Sequence, residues 1–505
     1  MRTLNSAKNL LSSLGITLIM TLLGFLTRKV FVDNVGVEYL GLNGLLQNIL
    51  GVVTLLEGGF GTSIVYNLYK PLAERDEARI IALVQLYRKV YRYIAGGIFI
   101  FSLCLYPFID LFIKDVQSLS YVSIVYFIFV FNSIVQYFTA YKWSLINADQ
   151  QVYKLTVINL TYQVGLSFAK LGILYFTQNY ILYLVVESLF GIGLNIAIAH
   201  KANRLYPFIV TKVKYTVDKE TKKKILTNVK ALFLHSLGGY FMHSTSNVVI
   251  SSFVGVVVVG LYSNYTLLTG FVNTISNQVL NSFSESVGNL IATETDEKAY
   301  SVFRTIFFVN FLITSSFSVI MYHVLTPFVC WWLGEQYVMN NITLLIIVLN
   351  FYINGMRSSA QTFKVKSGIF IQDRYSPLLQ GIINLILSLI LVRVWGLNGV
   401  LFAFGFSILS IGFWQFPRLV YKYTFHKPLW NYFKIYLFYT MVGIVVCFIS
   451  LGIIQLVSFQ NLLFQACFNG IVCLVCLVVV YLLCFHKREE YRTLLLYVDS
   501  LKNRL

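Results

Sequence analysis

The chain has 505 residues, of which 57% are hydrophobic and 12% charged, against about 25% charged residues in ordinary soluble domains. This balance excludes a soluble globular protein and predicts an all-α integral membrane protein. The formal net charge of +18 lies in short segments between apolar runs. That distribution indicates the cytoplasmic loops of a membrane protein rather than a nucleic-acid-binding surface.

Apolar runs long enough to cross a bilayer, about 20 residues each, recur along the whole chain. We predict about 14 transmembrane helices from these runs. The first run lacks a signal-peptide cleavage site, so we expect it to remain as a helix. The runs begin near Leu10, Leu42, Tyr91, Leu119, Leu155, Tyr180, Ile225, Leu261, Arg304, Ile342, Pro377, Leu397, Lys434 and Leu462.

The basic residues predict the orientation of these helices, because cytoplasmic loops carry an excess of Lys and Arg. With both termini in the cytoplasm, nearly all of the 39 basic residues fall in cytoplasmic segments. One missed helix would invert every later loop and remove this asymmetry. The exceptions are Arg28, Lys29, Lys114, Lys170 and Arg393.

Two pairs of short segments recur about 220 residues apart, which indicates an internal repeat. "VGVEYLGL" (35–42) matches "VGVVVVGL" (254–261), and "AERDEA" (73–78) matches "TETDEK" (293–298). Both copies start on the cytoplasmic side, so we predict two six-helix bundles related by a parallel repeat, followed by two C-terminal helices. The predicted parts are an N-terminal lobe (1–205), a basic cytoplasmic linker (206–224), a C-terminal lobe (225–425), helices thirteen and fourteen (426–485) and a basic cytoplasmic tail (486–505).

Polar residues follow one face of several predicted helices. A polar stripe costs free energy against lipid, so it favours a water-filled cavity between the two halves. Packing of small and hydroxyl residues between helices is the alternative, and it accounts best for the glycines. The stripes comprise Ser13, Thr17, Thr21, Gly24 and Arg28 in the first helix; Asn43, Gln47, Gly51, Thr54, Gly58 and Gly61 in the second; Ser236, Tyr240, His243 and Asn247 in the seventh; and Thr266, Gly270, Asn273, Asn277 and Asn281 in the eighth.

Glu57 is an ionisable residue inside an apolar run, about 20 Å from the cytoplasmic end at Lys70. It is either protonated or paired with a cation such as Arg28 or Lys170. A proton or sodium coupling site and a fixed salt bridge are equally compatible with this position. Glu187, in the middle of the sixth predicted helix, is a second candidate and a partner for Lys170.

Three cations lie in or near spans on different predicted helices: Arg28, Lys170 and Arg357. If they converge on a cavity they suit a phosphate, because Arg offers a bidentate fork and Lys a point charge. Helix capping or snorkelling to the interface is the alternative, and Arg357 also fits the start of a cytoplasmic loop.

The sequence contains no GxSxG, HExxH or P-loop motif, so we predict that the protein is not an enzyme and has no cofactor. Cys473 and Cys476 form a CxxC without neighbouring metal ligands, and we interpret these cysteines as small lipid-facing residues. The tail from His486 is amphipathic and basic, which predicts a helix on the cytoplasmic membrane surface.

The segments "GVEYLGLNGLLQNIL", "LLEGGFGTSIV" and "LYKPLAERDE", with about fourteen spans in two halves, resemble bacterial polysaccharide transporters. More narrowly, the chain resembles the O-antigen and capsule repeat-unit flippases of the multidrug/oligosaccharidyl-lipid/polysaccharide (MOP) exporter superfamily. The resemblance covers nearly the whole chain. The second half departs from the first in carrying Ser276 where Glu57 stands.

The resemblance implies a multi-pass protein of the bacterial inner membrane that moves undecaprenyl-diphosphate-linked oligosaccharides between leaflets by alternating access. It implies H+ or Na+ as the coupling ion, and membrane lipid and polysaccharide assembly proteins as partners. The alternatives are a drug or metabolite exporter of the same superfamily, and a membrane polysaccharide polymerase or ligase. We expect substrate binding by Arg28, Lys170, Arg357, Asn273, Asn277, Asn281 and Gln47, and ion coupling by Glu57 and Glu187.

Overall fold

The computed structural model describes the backbone of residues 2–57, 60–113, 121–369 and 371–502, with most of their side chains. The described part is almost entirely helical and contains no strand. Its backbone contacts divide the chain into two compact units, which we call the first unit (residues 20–260) and the second unit (residues 1–19 with 261–505). The all-α prediction is confirmed, and the predicted lobe boundaries stay a prediction.

The helices up to residue 253 alternate with short turns and 3₁₀ segments. Their order is α1 (Arg2–Asn34), α2 (Val37–Glu57), α3 (Phe60–Glu74), α4 (Glu77–Leu105), α5 (Val122–Val135), α6 (Ala140–Ala148), α7 (Thr156–Thr177), α8 (Tyr180–Leu205), α9 (Lys219–His243) and α10 (Thr245–Phe253). The predicted seventh helix is therefore two helices, α9 and α10. The hydroxyl of Thr245 donates to the Phe241 carbonyl at 2.8 Å, and such bonds to the preceding turn often bend helices.

The remaining helices include the two longest and carry two π-helical turns, at Ile408–Gly412 and Tyr421–Phe425. They are α11 (Val256–Thr293), α12 (Asp296–Trp332), α13 (Asn341–Met356), α14 (Ser358–Lys366), α15 (Ser376–Trp395), α16 (Leu397–Ser407), α17 (Phe413–Val420), α18 (Trp430–Ile454), α19 (Leu462–Phe485) and α20 (Glu489–Lys502).

Ten helical segments of the described residues are long and apolar enough to cross a membrane. An eleventh results if α5 and α6, bent by 48° to each other, form one span. These eleven match eleven of the predicted runs. The runs that begin near Leu10, Leu42 and Ile225 correspond to α1, to α2 with α3, and to α9 with α10, so a total of fourteen stays a prediction.

The internal repeat is visible in how the matching helices end. Gly36 follows α1 with φ of +103°, and Gly255 follows α10 with φ of +140°. Their amides donate to the Phe31 and Ile250 carbonyls respectively. This is the left-handed helix end for which glycine is the preferred residue, and it occurs at the same place in both copies of the "VG" motif.

The glycines of the two "GL" motifs contact each other's copy reciprocally. A Cβ on Gly41 would lie 1.9 Å from the Val256 carbonyl oxygen, and one on Gly260 would lie 2.2 Å from the Val37 oxygen. No real side chain tolerates such distances, so only glycine allows the two backbones to approach this closely. Val37 and Val256 occupy corresponding repeat positions, which makes the contact symmetric.

Aromatic packing fixes the C-terminal helices on α12 within the second unit. Phe307 and Phe311 stack on Tyr432 and Tyr439 at centroid distances of 5.0 and 4.5 Å. Phe311 also packs against Phe485 of α19 at 5.7 Å. The core of this unit therefore lies along α12, with α18 and α19 beside it.

Two cysteine predictions are corrected by this packing. Cys473 and Cys476 of α19 are buried, in a cluster with Val319 of α12 and Val446 of α18. They therefore face neighbouring helices rather than lipid, and they behave as small apolar residues at a helix interface.

Candidate functional site

Lys170 of α7 and Glu187 of α8 form an ion pair in the first unit, with 3.0 Å between Nζ and Oε2. The Lys170 side chain is only 13% exposed, whereas that of Glu187 is 39% exposed. The Lys170 ammonium also lies 4.5 Å from the centre of the Tyr183 ring. The Lys170 ammonium is therefore stabilised both by the Glu187 carboxylate and by the face of the Tyr183 ring.

Arg28 of α1 also lies close to Tyr183. Phe31, one turn later on α1, packs edge-on against Tyr183 with centroids 5.3 Å apart. The structure thus brings two of the predicted substrate-binding cations, Arg28 and Lys170, around one side chain. We call Arg28, Lys170, Tyr183 and Glu187 the Tyr183 cluster.

Tyr180 connects the Tyr183 cluster to α2. Its hydroxyl donates to the side-chain oxygen Oδ1 of Asn43, and its ring lies 4.7 Å from that of Tyr39. These contacts occur where α1 ends, α2 begins, α7 ends and α8 begins, which is the side predicted to be periplasmic. With two cations and one carboxylate, the cluster carries a net charge of about +1 and suits an anionic group.

Glu57 is bound by tyrosines rather than by a cation. The Tyr91 hydroxyl donates to Oε1 at 3.3 Å, and the Tyr137 hydroxyl donates to Oε2 at 3.2 Å. A Cβ on Gly61 would lie 3.2 Å from Oε1, so the small residue makes room for the carboxylate. Within the described part of the chain no Lys, Arg or His lies within 4 Å of Glu57, and the expected pairing with Arg28 or Lys170 is not observed. A carboxylate held by neutral donors remains able to accept a proton or a small cation.

Arg357 belongs to the second unit and lies between α13 and α14. It is 9% exposed, and its Nε and Nη1 atoms have no hydrogen-bond partner among the described residues. Arg357 is therefore buried at the junction of two helices, and the alternative that it begins a cytoplasmic loop stays a prediction.

The surroundings of Arg357 are polar and buried. Lys364 forms a buried ion pair with Asp373, and its ammonium lies 4.4 Å from the Phe416 ring centre. Arg357 lies 5.5 Å from the same ring. Gly412, at the end of a π-helical turn, leaves space for the guanidinium, because a Cβ there would lie 2.7 Å from Nη1. These features are typical of functional positions in helices.

The predicted sugar-binding residues are only partly described. Asn273 of α11 is half-buried, Asn277 is exposed, and the side chain of Asn281 lies outside the described residues. Gln47 of α2 is exposed. These positions are compatible with contact to a polar ligand, and their role stays a prediction.

Sequence reasoning missed the tyrosines at both sites. Tyr180, Tyr183 and Glu187 are three and four residues apart on α8, so they lie on one face of this helix. This spacing could have predicted that the tyrosines lie beside Glu187 in the Tyr183 cluster. Tyr91 and Tyr137 are on α4 and beyond α5, far from Glu57 in sequence, and nothing in their surroundings distinguishes them among 34 tyrosines. No group of three metal-ligating side chains occurs among the residues that the structure describes.

Comparison with family models and with curated proteins gives no match. Solved structures do match. One is a lipid II flippase, MurJ, in an inward closed conformation, with 14% identity, a TM-score of 0.69, and coverage of 93% of this chain and 98% of that one. A second is the MATE multidrug transporter DinF-BH, with 17% identity, a TM-score of 0.58, and coverage of 83% and 97%. A third is a mutant of the Vibrio cholerae MATE transporter VcmN, with 16% identity, a TM-score of 0.54, and coverage of 84% and 99%.

These neighbours are transporters, and a further one is described as a MATE family transporter of the MOP superfamily. The chain therefore shares the fold of these transporters. At these identities the likeness concerns the fold, and it does not extend to the substrate.

Proposed function

Starting from the MOP exporter fold, we propose that the protein is a flippase for undecaprenyl-diphosphate-linked oligosaccharide repeat units. The transfer runs from the cytoplasmic to the periplasmic leaflet of the bacterial inner membrane, by alternating access. The observation that carries this proposal is the Tyr183 cluster, which holds Arg28 and Lys170 within the membrane helices. A diphosphate is costly to move through hydrocarbon, and a partly buried cationic site offsets that cost.

In this proposal Arg28 and Lys170 bind the diphosphate at the periplasmic ends of α1 and α7. Glu187 neutralises one of the two positive charges, so the site has a net charge of about +1. It therefore attracts an anion, but binds it less strongly than a site with a net charge of +2 would. The aromatic rings of Tyr183 and Tyr180 exclude water around the cations, which strengthens their interaction with an anion.

The sugars and the second unit have separate roles in the proposal. Asn273, Asn277, Asn281 and Gln47 supply hydrogen bonds to hydroxyl groups of the oligosaccharide. Arg357 supplies a further cation, supported by the two nitrogen atoms that have no partner among the described residues.

Glu57 is the main coupling site for H+ or Na+, because its carboxylate has hydroxyl partners and no counter-cation in the described part of the chain. Glu187 is a secondary coupling candidate through its pair with Lys170.

The second candidate function is export of drugs or metabolites, which the MATE transporter neighbours favour. The cations of the Tyr183 cluster argue against it, because cationic drugs would be repelled. The enzymatic alternative, a polymerase or ligase, receives no support from a transporter fold. Overexpression in a drug-sensitive strain distinguishes the exporter, which would raise resistance, from the flippase, which would not.

The proposal is tested with the purified protein in liposomes that contain a lipid-linked oligosaccharide, by measuring its transfer between leaflets. We expect transfer by the native protein. The Arg28→Ala variant should bind diphosphate lipids about tenfold or more weakly, as a lost charge-assisted hydrogen bond costs about 1.5–3 kcal/mol. Lys29→Ala is the matched control, since Lys29 is exposed and pairs with Asp33.

Two outcomes would contradict the proposal. No transfer of any lipid-linked oligosaccharide by folded protein would remove the flippase function. Equal weakening by Arg28→Ala of the binding of diphosphate lipids and of uncharged lipids would show that Arg28 stabilises the fold instead of recognising charge.

A further inference from the structure

A basic recess lies in the first unit, on the face that carries the linker and away from the Tyr183 cluster. It consists of two adjoining cavities of about 490 and 530 Å³ that share Gln85 and Arg88. Its cations come from three parts of the chain, and none of its described lining residues is acidic. The cations of the basic recess are Arg88, Lys89 and Arg92 of α4, Lys142 of α6, and Lys212 and Lys214 of the linker.

The linker is attached to this recess by specific hydrogen bonds. The Gln85 amide donates to the Val213 carbonyl at 2.7 Å and accepts from the Tyr215 amide at 3.1 Å. The start of the linker is held by Tyr206, whose hydroxyl donates to Asp149 at 2.6 Å. Lys212 and Lys214 are therefore fixed beside α4, unlike the basic residues of a free loop.

The recess gathers like charges that repel each other. Arg88 is close enough to Lys142 for their charges to interact unfavourably, and no carboxylate among the described lining residues relieves this repulsion. Six cations around two connected cavities create a local positive potential that a bound anion would lower.

An apolar groove continues directly from the recess. Its cavity of about 570 Å³ shares Arg92 with the recess and is otherwise lined by apolar residues of α4 and α5 and the turn after α5, including Phe99, Phe127, Phe131 and Phe138. These four aromatic side chains are each at least 38% exposed. The groove is thus open to the surroundings of the helices, which for a membrane protein are the acyl chains.

One stripe of α4 connects the charged and apolar parts. Gln85, Arg88, Arg92, Gly96 and Phe99 follow each other at intervals of three or four residues, so they share one face over about 21 Å of helix. No described atom outside the helix backbone lies within 4 Å of the position that a Gly96 side chain would take. The stripe therefore passes from two cations through an open space to an aromatic residue, which is the polarity profile of a phospholipid.

We propose that the basic recess and the apolar groove together bind one anionic phospholipid of the leaflet on the linker side. The phosphate lies against Arg88 and Arg92, further headgroup oxygens face Lys142, Lys212 and Lys214, and one acyl chain occupies the groove beside Gly96. Because the linker supplies two of the cations, the bound lipid holds the linker against α4 and α6.

The experiment measures lipid retained by the full-length protein in native mass spectrometry after titration with phosphatidylglycerol or with phosphatidylcholine of identical acyl chains. We expect phosphatidylglycerol to bind more tightly. The Arg88→Gln/Arg92→Gln variant should weaken that binding about tenfold or more, because each basic residue near an anionic lipid contributes substantially. The control is Lys222→Gln/Lys223→Gln, which removes the same charge from exposed positions of α9 outside the cavities.

A second variant tests the groove without changing charge. Gly96→Leu fills the open space and should weaken the binding of long-chain phosphatidylglycerol more than that of a dioctanoyl analogue. Gly97→Leu, the same change on the neighbouring residue outside the cavity lining, should have little effect.

Three results would overturn the proposal. Equal weakening by both double variants would mean non-specific attraction to a basic surface. Displacement of phosphatidylglycerol by inorganic phosphate, with no effect of Gly96→Leu, would mean a site for a soluble anion. Stronger binding of undecaprenyl phosphate than of phosphatidylglycerol would assign the recess to the transported lipid. These results do not depend on whether the protein flips oligosaccharides, since binding alone is measured.

Discussion

Glu57 shows how a carboxylate is kept in an apolar helix without a salt bridge to any described residue. Two hydroxyl donors at 3.2 and 3.3 Å reduce the cost of burial, yet they leave the charge uncompensated. A fixed salt bridge would neutralise the carboxylate with a permanent counter-charge. Neutral donors instead allow the site to exchange a proton or a small cation as its surroundings change.

We predict that Glu57→Gln leaves the amount of folded protein unchanged but weakens transport of lipid-linked oligosaccharide about tenfold and removes its dependence on an imposed ion gradient. The measurement is transfer in liposomes with and without a pH or Na+ gradient. Tyr91→Phe with Tyr137→Phe is the control, because it removes the donors and keeps the carboxylate. Transport by Glu57→Gln that equals the native rate at every pH would contradict a coupling role.

The residues at these sites differ in how far the sequence predicts them. Lys170 and Glu187 can be paired in advance, because each is a rare charge inside an apolar run and they occur on successive helices. The partners of Glu57 cannot, because a tyrosine in a span is ordinary and its hydroxyl carries no sequence signal. The burial of Arg357 is also unexpected, since an arginine at the end of an apolar run usually begins a loop.

Among the elements, the crossing of α2 with the start of α11 depends on glycine in both helices. We predict that Gly41→Ala or Gly260→Ala lowers the free energy of unfolding by about 1–3 kcal/mol, as expected for overpacking. Gly97→Ala is the control, because no described atom beyond its own helix backbone lies within 4 Å of the added Cβ and alanine favours a helix by up to about 1 kcal/mol. Thermal unfolding in detergent measures the difference, and equal midpoints for Gly41→Ala and the native protein would refute the prediction.

The C-terminal helix α20 is attached to α12 by one buried ion pair. Glu490 is 3% exposed, and its Oε1 lies 2.6 Å from Nη2 of Arg304, whereas Glu489 contacts the same arginine at 3.6 Å and is 72% exposed. The first turn of α20, the predicted surface helix, is therefore attached to Arg304 of α12.

We predict that Glu490→Gln weakens this attachment by about 1–3 kcal/mol, which increases hydrogen exchange of the α20 amides. Glu489→Gln removes the same charge from an exposed pair and should cost less than about 1 kcal/mol. Similar exchange in the two variants would mean that aromatic packing, rather than the ion pair, holds α20.

For the molecule as a whole, hydropathy and the repeat motifs predict the helical membrane fold and the equivalence of its halves. The physical reason is that a bilayer requires long apolar helices, and that the helix-ending glycines recur at matching positions. What hydropathy does not predict is the division of helices. The sequence of α9 and α10 forms one apolar run, because the hydrogen bond from the Thr245 hydroxyl to the preceding turn has no effect on the pattern of apolar residues.

The predicted orientation is open to a direct test. In a cysteine-free variant, Lys212→Cys should react with a membrane-impermeant thiol reagent only after the cells are opened, and Gln178→Cys should react in intact cells. The two substitutions lie on the linker and on the turn between α7 and α8, which the positive-inside rule assigns to opposite sides. Reaction of both in intact cells would show that the orientation is wrong.

The reciprocal approach of Gly41 and Gly260 has a consequence for the history of the chain. A contact in which one position meets its own counterpart is the kind that a symmetric dimer of a half-length protein forms. In such an ancestor a single codon would have specified both contacting residues, one in each identical subunit. A substitution by a larger residue would therefore have introduced two side chains at the symmetry axis of the dimer. In the present chain two separate codons specify these positions, and the short backbone distance accounts for glycine at both.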